Sequence, residues 1–106
     1  MQRNEKVANQ IKELAAEFLG RENNRTSLIT VISCNTSPDL KKATIFITVL
    51  PNSKEHDALE FAKRKRAEIR DFLKGKMNTK IIPFLDIQID QGEKNRQKID
   101  ELLRIK

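Results

Sequence analysis

The side chains of this sequence whose type and spacing best suit a chemical role are basic, and they are concentrated in one segment. Residues 61–80 hold eight basic side chains against two acidic ones, and this excess equals the formal net charge of +6 for the whole chain. The eight are Lys63, Arg64, Lys65, Arg66, Arg70, Lys74, Lys76 and Lys80. Lysine and arginine neutralise phosphates and release counterions. The sequence therefore predicts that a polyanion, above all a nucleic acid, contacts these eight residues.

Other interpretations of this basic segment stay open at the level of sequence. Most charge runs form a solvated helix face, and the four consecutive cations at 63–66 cannot all point one way on a regular helix, so some are expected to be plain surface. Charge alone does not choose RNA over duplex DNA, which leaves a DNA-binding, nucleoid-associated protein as the alternative function. A protein-interaction adaptor that uses its first or last helix is a third hypothesis.

The residue types give little support to catalytic or metal chemistry. His56 is the only histidine and Cys34 the only cysteine, so the sequence offers no cysteine-pair metal site and no internal disulfide. Ser37 and Asp39 are expected to be turn residues, because turn formers surround them. The sequence contains no P-loop and no glycine-rich nucleotide cradle. We predict no enzyme activity, no catalytic residue, no metal, no cofactor and no small-molecule substrate.

Aromatic side chains are few, with five phenylalanines and neither tryptophan nor tyrosine. Base recognition on a sheet needs aromatic rings exposed on its surface. Phe18 and Phe72 fall on apolar helix faces and are expected in the core, whereas Phe46 alternates with threonines and is the exception. Because few aromatic rings are available for bases to stack on, the sequence favours recognition of the nucleic-acid backbone and shape over recognition of a base sequence.

Hydrophobic periodicity indicates how the first half of the chain supports the basic segment. The length of 106 residues fits one domain spanning 1–106. An amphipathic first helix is predicted up to about Gly20, where glycine favours a left-handed cap. Two strands follow, Leu28–Cys34 and about Lys42–Leu50, and a turn-rich loop joins them into a hairpin.

The second half of the sequence predicts two helices, a third strand and a closing helix. Ser53 is the expected N-cap of a helical stretch that runs to Met77, and a lapse of apolar positions at 63–66 predicts a break into two helices. Residues 81–90 alternate as a strand with one covered face, and the closing helix is expected at about 93–105. The predicted order is α-β-β-α-α-β-α, a three-stranded sheet with helices packed on one face, which makes an α+β domain.

Signals for export or membrane insertion are not evident. The first residues lack the apolar stretch of a secretory signal. No apolar run approaches the ~20 residues of a membrane span. Together with the single cysteine, these features predict a cytoplasmic protein.

The order of elements, with a basic break between the middle helices, resembles the K-homology (KH) type II arrangement. Four stretches narrow this to a resemblance to the ribosome-binding factor A family. They are Lys6–Ile11, Leu28–Val49, Ile69–Met77 and Lys80–Leu103. The resemblance implies a monomeric, non-catalytic RNA-binding factor that binds the small (30S) ribosomal subunit and its 16S ribosomal RNA, and that assists late 16S rRNA processing and maturation.

One stretch departs from the pattern of that family. Where the family places an Ala-x-Gly kink between the middle helices, the matching positions here are Lys65, Arg66 and Ala67. A kink without glycine is harder for the backbone, because glycine alone adopts strained conformations freely. The added cations strengthen the attraction for phosphate. A kink at these three residues is therefore predicted, with its own geometry of contact.

Overall fold

The computed structural model of the chain describes residues 2–21, 27–77 and 82–92, with side chains from residue 6 onward. Its helices and strands are α1 (Gln2–Arg21), β1 (Leu28–Thr36), β2 (Lys42–Leu50), α2 (Glu55–Arg64), α3 (Arg66–Lys76) and β3 (Phe84–Ile89). The closing helix predicted at about 93–105 lies outside the described residues. Among the residues described, no helix is both long and apolar enough to cross a membrane.

The three strands form one mixed sheet in the order β1-β2-β3. β1 and β2 pair antiparallel as the predicted hairpin, whereas β2 and β3 pair parallel. Parallel neighbours require a crossover, which α2 and α3 supply. The register of β1 shifts between Val31, opposite Ile47, and Ser33, opposite Phe46, so Ile32 forms a bulge.

A single core lies between one face of this sheet and the three helices. Every second residue of β2 is buried, as its strict alternation predicts. The helices meet this face with residues spaced four apart, such as Ala58 and Ala62 in α2 and Ile69 and Leu73 in α3, all fully buried. The main α1 contributors are Ile11, Ala15 and Leu19. The prediction of an α+β domain with helices on one face of the sheet is thus confirmed.

The loop between β1 and β2 is built on two short polar side chains. The Ser37 Oγ donates to Asp39 Oδ1 at 2.7 Å, and the Lys41 backbone N–H donates to the same oxygen at 3.1 Å. These hydrogen bonds, the one from Ser37 first, lower the pKa of Asp39. Leu40 takes a left-handed φ of 60° at the end of the turn. The prediction that Ser37 and Asp39 are turn residues is confirmed.

β1 runs through Thr36, two residues past its predicted end. Three further boundaries differ from those predicted for a local reason. Ser53 is not the N-cap of α2, because residues 52–54 form a 3-10 turn in which the Lys54 N–H donates to Pro51 O at 2.9 Å. α1 continues through Gly20, which has no left-handed φ. β3 begins at Phe84 rather than residue 81, because proline at 83 has no N–H to donate to the sheet.

The packing of α3 on the sheet yields a first prediction. Replacing the fully buried Leu73 with alanine should lower the free energy of unfolding by about 2–5 kcal/mol, because the lost methyl groups leave a cavity. Urea denaturation followed by circular dichroism measures the change. Leu50→Ala is the matched control, since Leu50 is 52% exposed and its truncation should cost at most about 0.5 kcal/mol. Equal losses in the two variants would contradict the described core.

Candidate nucleic-acid interface

The break between α2 and α3 occupies a single residue. α2 ends at Arg64, α3 begins at Arg66, and Lys65 between them has φ −90° and ψ 2°. This conformation is open to any L-residue, so no glycine is needed. The Lys65 N–H donates to the carbonyls of Phe61 and Ala62, at 3.2 and 3.1 Å, which keeps the chain tightly wound through the break. The kink expected across residues 65–67 is therefore confined to Lys65.

Arg66 fastens the two helices together at this break. Its Nε donates to the carbonyl oxygen of Lys63 at 3.1 Å, in the last turn of α2. A cation at this position adds a hydrogen bond to a carbonyl of the last helical turn and offsets the negative end of the α2 dipole. The first turn of α3 begins at the same point, and the N–H groups of a first helical turn have no partner within the helix. The positive end of α3 and the Arg66 guanidinium thus both lie at the break.

A pocket of about 360 Å³ opens beside the break. Its lining comes from the last turn of α2, the first turns of α3 and the start of β3: Lys63, Arg64, Arg66, Ala67, Arg70, Phe84 and Leu85. Four of the eight predicted contact residues therefore share one concave surface. We call these four, Lys63, Arg64, Arg66 and Arg70, the pocket cations.

Arg70 links the pocket to the strand that forms its other wall. Its Nη2 donates to the backbone carbonyl of Ile82 at 3.0 Å. Ile82 and Pro83 are buried and lead directly into β3. Arg70 therefore holds the start of β3 against α3 while the rest of its guanidinium lines the pocket.

Phe84 is the lining residue that sequence reasoning did not single out. Its side chain is 60% exposed, and the Arg66 guanidinium carbon lies 5.9 Å from the centre of its ring. The available signal was the alternation of β3, which puts Phe84 on the same face as Asp86 and Gln88, away from the core. An aromatic residue at a solvent-facing strand position is expected to be exposed, whereas one on an apolar helix face is expected to be buried.

Acidic charge borders the pocket at Asp86. A hydrogen bond from Gln88 is the largest cause of the lowered pKa of Asp86, and a backbone bond from Ile87 and the charges of Lys42 and Lys63 lower it further. Asp86 is therefore ionised at neutral pH. Part of the charge of Lys63 is balanced within the protein, whereas Arg64, at the end of α2, is exposed.

The remaining predicted contacts divide between two other surfaces. Lys65 turns toward its own helices, with its Nζ 3.2 Å from Glu68 and 5.7 Å from the Phe61 ring centre. Lys74 is exposed and follows Arg70 by four residues, so it extends the pocket cations along α3. Lys80 lies outside the described residues.

Lys76 belongs to a separate group of rings and cations at the other end of α3. Its Nζ lies 5.7 Å from the Phe72 ring centre, and the Arg21 guanidinium lies 5.6 Å from the same ring. The Phe18 ring packs against Phe72 at 5.8 Å, and both phenylalanines are half-buried. These two rings are therefore occupied by protein contacts, whereas Phe84 presents its surface to the pocket.

The residues considered for catalysis have ordinary surroundings. His56 is exposed at the start of α2. Burial raises the pKa of the half-buried Cys34 thiol to about 11, so the thiol is neutral and poorly nucleophilic at pH 7. In the part of the chain that the structure describes, no three His, Cys, Asp or Glu side chains are grouped to hold a metal ion.

The described elements define a class of protein. The order α-β-β-α-α-β, the mixed sheet covered on one face and the basic break between the middle helices together make a small α+β domain of the KH type II-like kind.

Comparison with known sequences identifies the family within that class. The family model of Ribosome-binding factor A matches residues 3–103. Ribosome-binding factor A of Macrococcus caseolyticus (strain JCSC5402) is 31% identical over 111 residues, covering 98% of this chain and 97% of that protein. Ribosome-binding factor A of Methylobacterium sp. (strain 4-46) is 32% identical over 108 residues, covering 97% of this chain and 78% of that protein. The chain belongs to the Ribosome-binding factor A family.

Solved structures share the fold. The crystal structure of ribosome-binding factor A from Thermus thermophilus matches with a TM-score of 0.73 at 21% identity, covering 81% of this chain and 93% of that one. Thermus thermophilus ribosome binding factor A as fitted into the cryo-EM map of a 30S complex matches with a TM-score of 0.70 at 19% identity, covering 79% and 91%. At these identities the likeness establishes the common architecture.

The backbone at the break yields a second prediction. Lys65→Gly should lower the free energy of unfolding by about 0.5–1 kcal/mol relative to Lys65→Ala, because glycine loses more backbone entropy in a conformation that alanine adopts without strain. Both variants remove the contacts with Glu68 and Phe61, so their difference isolates the backbone. Urea denaturation of the two variants measures it. A glycine variant more stable than the alanine variant would show that residue 65 occupies the left-handed region instead.

Proposed function

We propose that this chain is a non-catalytic, RNA-binding assembly factor that binds the small (30S) ribosomal subunit and assists late processing and maturation of its 16S rRNA. It acts in the cytoplasm as a monomer, with residues 1–106 as one KH-like domain. The family membership supports the ribosomal partner, and the relative fitted into a 30S complex carries the same fold. The observation that carries the proposal is the grouping of the four pocket cations beside the break between α2 and α3.

The geometry of the pocket suits the sugar–phosphate backbone of RNA. Phosphate is favoured at the N-terminus of a helix, where unpaired N–H groups and the positive end of the dipole point the same way. The first turn of α3, with Arg66 and Ala67, lines the pocket at that place. Lys63 and Arg64, in the last turn of α2, also line the pocket and add positive charge there. A phosphate in the pocket would therefore meet cations from two helices.

The eight predicted contacts take graded roles in this proposal. The pocket cations form the centre of the RNA surface, and Lys74 prolongs it along α3. Lys65 and Lys76, which lie over the rings of Phe61 and Phe72, contribute at the margin. Lys80 remains a predicted contact on sequence grounds.

Charge reversal at two of the pocket cations tests the surface. The double variant Lys63→Glu with Arg64→Glu should weaken binding to isolated 30S subunits by at least about tenfold, because two phosphate contacts become repulsive. The dependence of log affinity on log salt should become shallower by about 0.7–0.9, the share of the one phosphate that these two cations hold. Co-sedimentation over a range of salt concentrations measures both effects. Arg66 and Arg70 are left intact because their side chains also hold the backbone.

A matched control separates the surface from total charge. Lys6→Glu with Lys54→Glu changes the net charge equally at two exposed positions, one on α1 and one before α2. This control should bind 30S subunits like the unmodified chain. Equal weakening in both double variants, or equal binding of the unmodified chain to 30S subunits and duplex DNA at physiological salt, would replace the proposal with generic attraction to polyanions.

A further inference from the structure

Phe84 combines exposure with a basic setting. Three large apolar side chains stay more than half exposed among the described residues, namely Leu28, Leu50 and Phe84 at 56, 52 and 60%. Leu28 and Leu50 are register partners at one end of the sheet, whereas Phe84 pairs with Lys42 at the other end of β2. Eight residues of β2 separate the two ends, a span of about 27 Å. Only the Phe84 end of the described sheet borders the pocket.

The backbone at Phe84 is held in place by contacts on both sides of the residue. Its backbone N–H donates to Lys41 O at 2.8 Å, which fixes the start of β3 on β2. The residue before it is the buried Pro83, and Ile82 is tied to α3 by Arg70. An aromatic group on so fixed a backbone loses little conformational freedom when a ligand binds.

A second flat group stands beside the ring. The Arg66 guanidinium lies 5.9 Å from the ring centre, and its Nε bond to Lys63 O at 3.1 Å restricts how it turns. Guanidinium planes and aromatic rings are the two kinds of surface on which unpaired nucleic-acid bases stack. The pocket therefore offers a stacking surface and phosphate-binding cations within one volume of about 360 Å³.

We propose that Phe84, flanked by Arg66, is a stacking platform for one unpaired base, with the adjoining phosphate held by Lys63 and Arg64. This inference rests on the proposed RNA-binding function and specifies its ligand as single-stranded RNA. Bases within a duplex are already stacked on their neighbours and cannot lay a face on the ring. Every base has such a face, so the platform selects unpaired over paired nucleotides with little preference among bases.

The cations also argue against an apolar partner at this place. A protein side chain seated on Phe84 would bury the charged groups of Lys63, Arg64 and Arg66, and unpaired buried charges are costly. A nucleotide supplies both an aromatic face and a neutralising phosphate. The pocket residues thus match the two parts of one nucleotide.

The absence of tryptophan and tyrosine from the chain provides a clean test. Phe84→Trp places the only strong fluorophore of the protein on the platform. Titration with an eight-nucleotide single-stranded oligoadenylate should quench the introduced indole, and a fully paired RNA duplex at the same phosphate concentration should quench it far less. Leu28→Trp, at the far end of the sheet with similar exposure, is the control and should show no quenching with either RNA.

Phe84→Leu tests the energetic share of the ring. The variant keeps an apolar side chain, and circular dichroism checks its fold. Its affinity for the single-stranded oligonucleotide should fall by about thirtyfold, the middle of the range for one stacked base, while its affinity for the fully paired duplex should not change. Equal loss for both RNAs, an unquenched indole, or no binding of the oligonucleotide by the unmodified chain would overturn the platform.

Co-sedimentation with 30S subunits separates failure of this inference from failure of the proposed function. If the unmodified chain binds 30S subunits while the platform tests fail, the ribosomal function stands and the stacking role is withdrawn. If the unmodified chain fails to bind 30S subunits, the proposed function is withdrawn, and the oligonucleotide titrations alone decide whether Phe84 receives a base.

Discussion

The parallel pairing of β2 and β3 is the constraint on which the rest of this structure depends. Parallel neighbours cannot be joined by a tight turn, so the chain must cross over one face of the sheet. α2 and α3 make that crossing, and each buries its apolar side against the sheet only because the chain changes direction at Lys65. The same crossing returns the chain to the edge strand at Phe84, and so brings the break and the start of β3 to one pocket.

Patterns that depend on one element at a time could be predicted from the sequence. The alternation of β2, the apolar stripe of α1 and the lapse of apolar positions at 63–66, between α2 and α3, each predicted the correct kind of element. Contacts between distant segments could not be predicted. The hydrogen bond from Arg70 to Ile82 O joins residues twelve apart, and their residue types do not predict that they meet. Ser53 failed as a cap because Pro51 and the turn after it decide where α2 begins.

The basic segment shows why amino-acid composition overestimates the number of cations that are available to a ligand. All eight cations are equivalent by charge in the sequence. In the folded chain, however, several of them make contacts within the protein. Arg66 satisfies the end of α2, and Lys65 and Lys76 lie over aromatic rings. The kink needs no glycine, because the one-residue break has a φ of −90°, which lysine adopts without requiring the left-handed region. The break in this chain therefore carries two cations, Lys65 and Arg66, without requiring glycine in its backbone.

The bulge at Ile32 changes the pattern of backbone donors and acceptors along β1. β1 lies at the edge of the described sheet, and a long regular edge invites another chain to add a strand. The shift of register between Val31 and Ser33 interrupts the repeat of donors and acceptors along that edge. A second copy aligned with one half of β1 would be out of step with the other half. The bulge thus makes the edge of β1 a poorer template for strand addition than a regular strand of the same length.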